Sequence, residues 1–134
     1  VPVYFHGHER YLKARGEPKT LDDLAHHDLI GFDRAPPAMD SLKTLPIDVR
    51  RELFSLRTDS DLAQLAMLRA GYGLCPCQPA IADSFLKPIL MDQFRMELEV
   101  WVAMHEDLKG SRRMRLLFDH LVDGLASYVA ASQI

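Results

Sequence analysis

The sequence predicts a small α/β domain, and three observations carry that prediction. Short apolar runs alternate with helical patterns along most of the chain. The clearest unit, Leu53 to Cys77, reads as strand, helix, strand. A single apolar stripe at helical spacing fills the C-terminal segment. Strands alternating with helices at this spacing imply a mostly parallel sheet with helices packed on it.

Val1 to Phe5 reads as a short apolar strand. His8 to Arg15 then reads as one or two helical turns. It ends at Gly16, with Pro18 just beyond, a stop signal. Thr20-Leu21-Asp22-Asp23 follows the N-cap pattern, a hydroxyl and acids facing free N–H groups, and Leu21 and Leu24 give that short helix a buried side. Asp28 to Asp33 is a strand through Leu29, Ile30 and Phe32, ended by Pro36-Pro37. A short helix over Met39 to Leu45, stopped by Pro46, is the reading of the least legible stretch.

Glu52 to Arg57 is the next strand. Asp59 to Ala70 is a helix apolar nearly all round, the pattern of a helix packed into an interior. Gly71 closes it, Gly73 to Cys77 returns as a strand, and Pro79 opens a helix through Phe85. Leu86 to Met91 is strand-like. Met96 to Met104 alternates, with Leu98, Val100, Val102 and Met104 on one face and Trp101 on the other. Ser111 to Ala131 is a long helix with Met114, Leu117, Phe118, Leu121, Leu125, Tyr128 and Val129 on one stripe.

The 134 residues suffice for about one ordinary domain. A hydrophobic share of 48% and a charged share of 26% are those of a globular chain. No apolar run approaches the roughly 18 residues of a membrane-spanning helix. The apolar start has no basic leader, so it is not read as a signal peptide, and the missing initiator Met fits a segment of a longer chain. Two cysteines, Cys75 and Cys77, are too close for an ordinary bridge, which favours a reducing, cytoplasmic compartment. A net charge of -3 with scattered basic residues argues against nucleic-acid binding by this segment.

Catalytic and metal chemistry find little footing. Gly71-Tyr72-Gly73 leaves a helix and enters a strand, the reverse of a dinucleotide loop, and reads as a helix cap. Cys75-Pro76-Cys77 lacks the spacer of zinc and redox motifs. His6 and His8 share one side of a strand, but no carboxylate or cysteine stands at ligand spacing. No serine sits in a Gly-x-Ser-x-Gly elbow. The expectation is a non-enzyme without metal or cofactor. Arg57-Thr58-Asp59-Ser60 is different: it lies where a strand's carboxyl end meets a helix N-terminus, the place where open α/β sheets hold ligands. Asp59 and Asp61 already place negative charge on that helix end, so capping alone also explains the sequence, and both readings stand.

Several stretches resemble the effector domain of LysR-type transcriptional regulators. Tyr11-Leu12 through Gly16-Glu17-Pro18, then Leu24-Ala25-His26 and the strand to Phe32, follow that family's order. Asp59 to Leu62, continued by Ala70-Gly71-Tyr72-Gly73-Leu74-Cys75-Pro76, is similar to its "aGlGia.lP" segment. Leu98 to His105 and the helix from Ser111 match its terminal strand and helix. The turn between Phe85 and Leu86 is tighter than the glycine-containing one usual in the family.

The resemblance implies a type II periplasmic-binding-protein-like fold of two α/β subdomains around an effector cleft. Residues 1–95 would be the second subdomain, and 96–134 the returning strand and C-terminal helix of the first. It also implies a bacterial, cytoplasmic, homo-oligomeric regulator whose DNA contacts belong to an N-terminal winged helix-turn-helix outside this sequence. The effector would be a small molecule, a carboxylate or aromatic acid being common in the family. Cleft-facing positions carried over are Thr58, Asp59 and Ser60, Gly31, Phe32 and Asp33, and Leu74 and Cys75. Met114, Leu117, Phe118, Leu121 and Leu125 are expected to mediate self-association, since such a stripe is a liability when bare. A stand-alone solute-binding protein and a non-sensing oligomerisation module are the alternatives.

Overall fold

The computed structural model describes residues 1–34 and 50–132. The proposed helix over Met39 to Leu45 lies outside them. The first strand, β1, spans Pro2–His8 and is buried along nearly its whole length, so it is a central strand. His8 ends it and caps the helix α1 (Glu9–Arg15), its Nδ1 accepting from the Arg10 N–H at 3.0 Å. Gly16 closes α1 at φ 85°, a conformation that favours glycine. A 3₁₀ turn follows at Asp22–His26. Asp23 there accepts the Lys19 and Thr20 N–H groups, both at 2.9 Å, and these bonds hold its carboxyl below the usual pKa range.

Strand β2 (Leu29–Gly31) is wholly buried and shorter than the expected Asp28 to Asp33. Strand β3 (Phe54–Arg57) starts two residues later than expected because Arg51–Leu53 forms a 3₁₀ turn. Helix α2 (Asp61–Arg69) is capped by Ser60, whose Oγ accepts from the Ala63 N–H at 3.3 Å. Strand β4 (Leu74–Cys77) and strand β5 (Leu86–Ile89) complete the main ladder, and β6 (Met96–Glu97) adds a short pairing. Helix α3 (Arg112–Ala131) ends the described chain.

The strands run in the order β3-β2-β4-β1-β5, with β6 also pairing with β1. The pairs β2–β3 and β2–β4 are parallel, whereas β1 is antiparallel to β4, β5 and β6. The sheet is therefore mixed, not mostly parallel. β1 enters beside β4 in the opposite direction, and β5 and β6 return along its other edge.

Each face of the sheet carries its own core. On one side Phe5, Tyr11, Leu12, Leu24, Leu29, Leu74 and Phe94 pack under α1 and the 3₁₀ turn. On the other, Ile30, Leu68, Cys75, Cys77 and Leu86 pack under α2. Tyr11 also ties the first layer together: its hydroxyl accepts the Asp28 N–H at 2.8 Å and lies 3.2 Å from His27 Nδ1.

Three further expectations need correction. α2 is one-sided rather than apolar all round: only Gln64 and Leu68 are buried, and Leu62 is 81% exposed. It lies on a single sheet face, and small alanines supply much of its apparent apolarity. The helix expected from Pro79 to Phe85 is only a 3₁₀ turn at Pro79–Ile81. Asp83 draws the chain out of it by accepting the Phe85 N–H at 3.1 Å through Oδ1. The strand expected from Met96 to Met104 pairs only at Met96–Glu97, continuing as far as a bond from the Leu98 N–H to the Val1 carbonyl at 2.8 Å. Beyond that, none of the described strands pairs with it, and Trp101 is 82% exposed.

Candidate functional site

The local chemistry of β2 and β4 opens a gap at their carboxyl ends. The two strands meet at Leu29 and Leu74, where the Leu74 N–H donates to the Asp28 carbonyl at 2.8 Å. In a parallel ladder the next donor on that edge is two residues on. That residue is Pro76, which has no N–H. The Thr58 N–H donates to the Gly31 carbonyl at 2.9 Å, on the β3 side. By alternation the Ile30 carbonyl faces β4, towards the proline. The ladder stops here and the strands part.

A cavity of about 710 Å³ occupies the gap. Ile30, Gly31 and Phe32 line it from β2 and its exit. Asp59, Asp61, Gln64, Leu65 and Leu68 line it from α2 and the turn before it. Cys75, Pro76, Cys77 and Gln78 come from β4, and Val3, Met96 and Leu98 from β1 and the segment paired with it. Arg34, Phe54 and Ile81 complete the wall. This is the crevice outside strand carboxyl ends where open α/β sheets take ligands.

Of the positions proposed from sequence, Gly31, Phe32, Asp59 and Cys75 lie in this wall. Thr58, Ser60 and Asp33 stand behind it. Thr58 Oγ1 accepts from the Ser60 N–H at 3.3 Å, and the Thr58 carbonyl accepts from Gln64 Nε2 at 2.8 Å. Asp33 pairs with Arg51 at 2.5 Å and Arg57 at 3.7 Å, and the Arg51 guanidinium holds its carboxyl below the usual range. Leu74 is fully buried in the opposite layer.

Asp59 fixes the mouth. Its Oδ1 accepts from the Asp33 and Arg34 N–H groups at 3.0 and 2.9 Å, and its Oδ2 is 3.6 Å from Arg34 Nε. The exit of β2 is thus tied to the start of α2. Gly31 is required at this point because a Cβ there would sit 2.3 Å from the Phe54 ring.

Gln64, Pro76 and Gln78 were not singled out from sequence. Gln64 had a visible signal: it is a polar residue in the otherwise apolar Leu62 to Leu68 run. Its side chain is buried, with Nε2 on the Thr58 carbonyl and Oε1 3.6 Å from Cys75 Sγ. Gln78 Oε1 accepts from the Tyr128 hydroxyl at 2.7 Å, which docks the end of α3 beside the cavity.

The thiols are held neutral. Burial pushes Cys75 up to about 12 and Cys77 up to about 11. Of the paired histidines, His6 is buried, with Nδ1 2.9 Å from the Tyr4 carbonyl, and burial pushes its pKa down. His8 is committed to capping α1. Among the described residues no group of three or more His, Cys, Asp or Glu is placed to hold a metal ion, and no helix is long and apolar enough to cross a membrane.

Comparison with known proteins bears on the same fold. The chain is similar to the regulatory domain of CrgA, a LysR-type transcriptional regulator from Neisseria meningitidis, with a TM-score of 0.69 and 19% identity over 93% of this chain and 66% of that one. A second CrgA structure gives a TM-score of 0.64 and 23% identity, covering 92% of this chain and 44% of that chain. The regulatory domain of AphB from Vibrio vulnificus gives 0.53 and 16%, over 72% of this chain and 51% of that one. The chain thus spans less than two thirds of each of these structures. No curated protein matches it significantly. The family model for the LysR substrate binding domain matches residues 3–126, and the chain therefore belongs to the LysR substrate-binding domain family, with its type II periplasmic-binding-like α/β fold.

Proposed function

We infer that this chain is the effector-sensing part of a LysR-type regulator, taking a small molecule into the cavity between the ends of β2 and β4. The observation that supports this most is the cavity itself, about 710 Å³ at the carboxyl ends of two parallel strands. Its walls come from described residues between Val3 and Ile81 and from Met96 and Leu98. Residues 1–95 then act as one subdomain, and 96–134 supply the returning strand and helix of the other. Ligand contacts that differ between two subdomain arrangements shift the balance between them. In the intact cytoplasmic regulator that shift alters DNA binding by an N-terminal winged helix-turn-helix. The role is binding, not catalysis.

Thr58, Ser60 and Asp33 act in this reading by holding the wall rather than by touching the effector. The stripe on α3 supplies the self-association surface. Leu117 and Leu121 are 50% and 44% exposed on it, with Met114, Phe118 and Leu125 partly covered.

The test is a thermal-shift screen of the 134-residue chain against small carboxylates, aromatic acids, amides and amines. A ligand at a hundred times its Kd stabilises by about 2.7 kcal/mol. The shift should vanish in Leu65→Trp, which fills the cavity. A hit whose shift persists in that variant would place binding elsewhere.

A further inference from the structure

We propose that the cavity selects a nitrogen head group that donates hydrogen bonds, a cationic amine above all, over the carboxylates that the family resemblance implies. The inference rests on the effector-binding reading above and specifies its ligand class. Three observations from separate parts of the wall agree.

The first is the interrupted ladder. Pro76 cannot supply the rung that the Ile30 carbonyl faces, and both residues line the cavity. The wall therefore carries a backbone acceptor turned towards a residue with no donor, and a ligand N–H completes it. The second is charge. Asp59 and Asp61 are both in the wall, while Arg34 is the one cation among its described residues. Arg34, its side chain 90% exposed, lies 3.6 Å from Asp59, and the two charges offset each other. Asp61, at the first position of α2, keeps an exposed carboxylate at the mouth. The third is Gln64. Its Oε1 has only a long contact with the Cys75 thiol, 3.6 Å, so it retains acceptor capacity inside the wall. A carboxylate head would meet these acceptors and Asp61 with no proton to offer. The remaining wall, including Leu65, Leu68 and Met96, suits an apolar body.

Benzylamine, benzamide and benzoate share one ring and differ in the charge and donor capacity of the head. Calorimetric titration of the 134-residue chain should rank them in that order. Benzylamine should bind at least about tenfold tighter than benzoate, as a charge pair near a protein surface allows. Asp61→Asn should shrink that ratio severalfold. Pro76→Ala restores the missing N–H, extends the β2–β4 ladder and should weaken benzylamine severalfold without lowering the Tm. Benzoate binding as tightly as benzylamine would overturn the ligand class and leave the effector-binding reading standing. So would an affinity for benzylamine unmoved by both variants. If none of the three binds, to the solubility limit, the class falls, and the reading beneath it falls too unless the wider screen gives a hit that Leu65→Trp abolishes.

Discussion

Replacing Gly73 with alanine tests whether the junction of β2 and β4 is as tight as the structure shows. A Cβ on residue 73 would lie 2.2 Å from the Asp28 carbonyl oxygen, 2.9 Å from its carbon and 3.2 Å from the Asp28 Cβ. These are mostly backbone atoms, so rotation of a side chain cannot relieve the overlap. The strands must separate by roughly an ångström. The bond most exposed to that movement is the next one along, from the Leu74 N–H to the same Asp28 carbonyl at 2.8 Å. Overpacking strain of about 1–3 kcal/mol and a weakened hydrogen bond of about 0.5–1.5 kcal/mol give a loss of roughly 2–4 kcal/mol. For a chain of this size that is a fall in Tm on the order of 10 °C. Two other glycines serve as controls. Gly71 has φ 69° and meets nothing closer than Arg10 Nη2 at 3.4 Å, so alanine there costs about 1–2 kcal/mol for the left-handed backbone alone. Gly124 lies inside α3 with nothing within 4 Å, and alanine should stabilise by about 0.5–1 kcal/mol. Urea unfolding of the three variants should return that order. A Gly73→Ala loss no larger than that of Gly71→Ala would refute the reasoning.

Acid should destabilise the chain from about pH 6.5 downwards. Burial holds the pKa values of His6 and His27 below their ordinary value in the folded state. Above about pH 6.5 neither state binds the proton; between that value and the lowered one only the unfolded chain does, so stability falls as pH falls through the window. Urea midpoints at about pH 7.5, 6.5 and 5.5 check this, and a constant midpoint would speak against it. Iodoacetamide at neutral pH should label Cys75 and Cys77 slowly in the native chain and quickly in urea, because both thiols are buried and their pKa values stand at about 12 and about 11. Rapid native labelling would show that the wall opens freely. Sedimentation of the wild-type chain should show self-association that Leu117→Glu with Leu121→Glu abolishes; a wild type that stays monomeric at high concentration removes α3 as an interface.

Local patterns were legible in the sequence wherever one element decides its own fate. Gly16 and Gly71 announced helix ends, while the helix expected from Asp59 begins two residues later, at Asp61, because Thr58 and Ser60 form its capping turn. What sequence could not reveal was set by partners far along the chain. Strand direction is one case: nothing near Pro2–His8 says that it will lie between β4 and β5 and run against both. The Met96 to Met104 alternation is another. Alternation predicts a strand with two unlike faces, but a strand also needs a neighbour for its backbone groups, and past Leu98 none of the described strands provides one. For the site, the helix N-terminus after β3 drew notice because hydroxyls and acids cluster there. Thr58 and Ser60 are spent on their own turn. Gln64, one helical turn further in, reaches the wall instead.

The cavity depends on groups that are absent as much as on those present. Pro76 lacks the N–H that would carry the ladder onward, so β2 and β4 part after a single register pair. Gly31 lacks a Cβ where the Phe54 ring needs the space, so β2 can end against β3 with its carbonyl still bonded to Thr58. Gly73 lacks a Cβ where the Asp28 carbonyl passes, so the strands are close immediately before they diverge. Tight contact at Gly73 and separation at Pro76 lie three residues apart, and over that short lever the strands open into the crevice. An alanine at Gly73 should loosen the closed end, and one at Pro76 should close the open end. Opposite shifts in stability from the two, with benzylamine binding weakened by the second, would tie the cavity to this stretch of backbone.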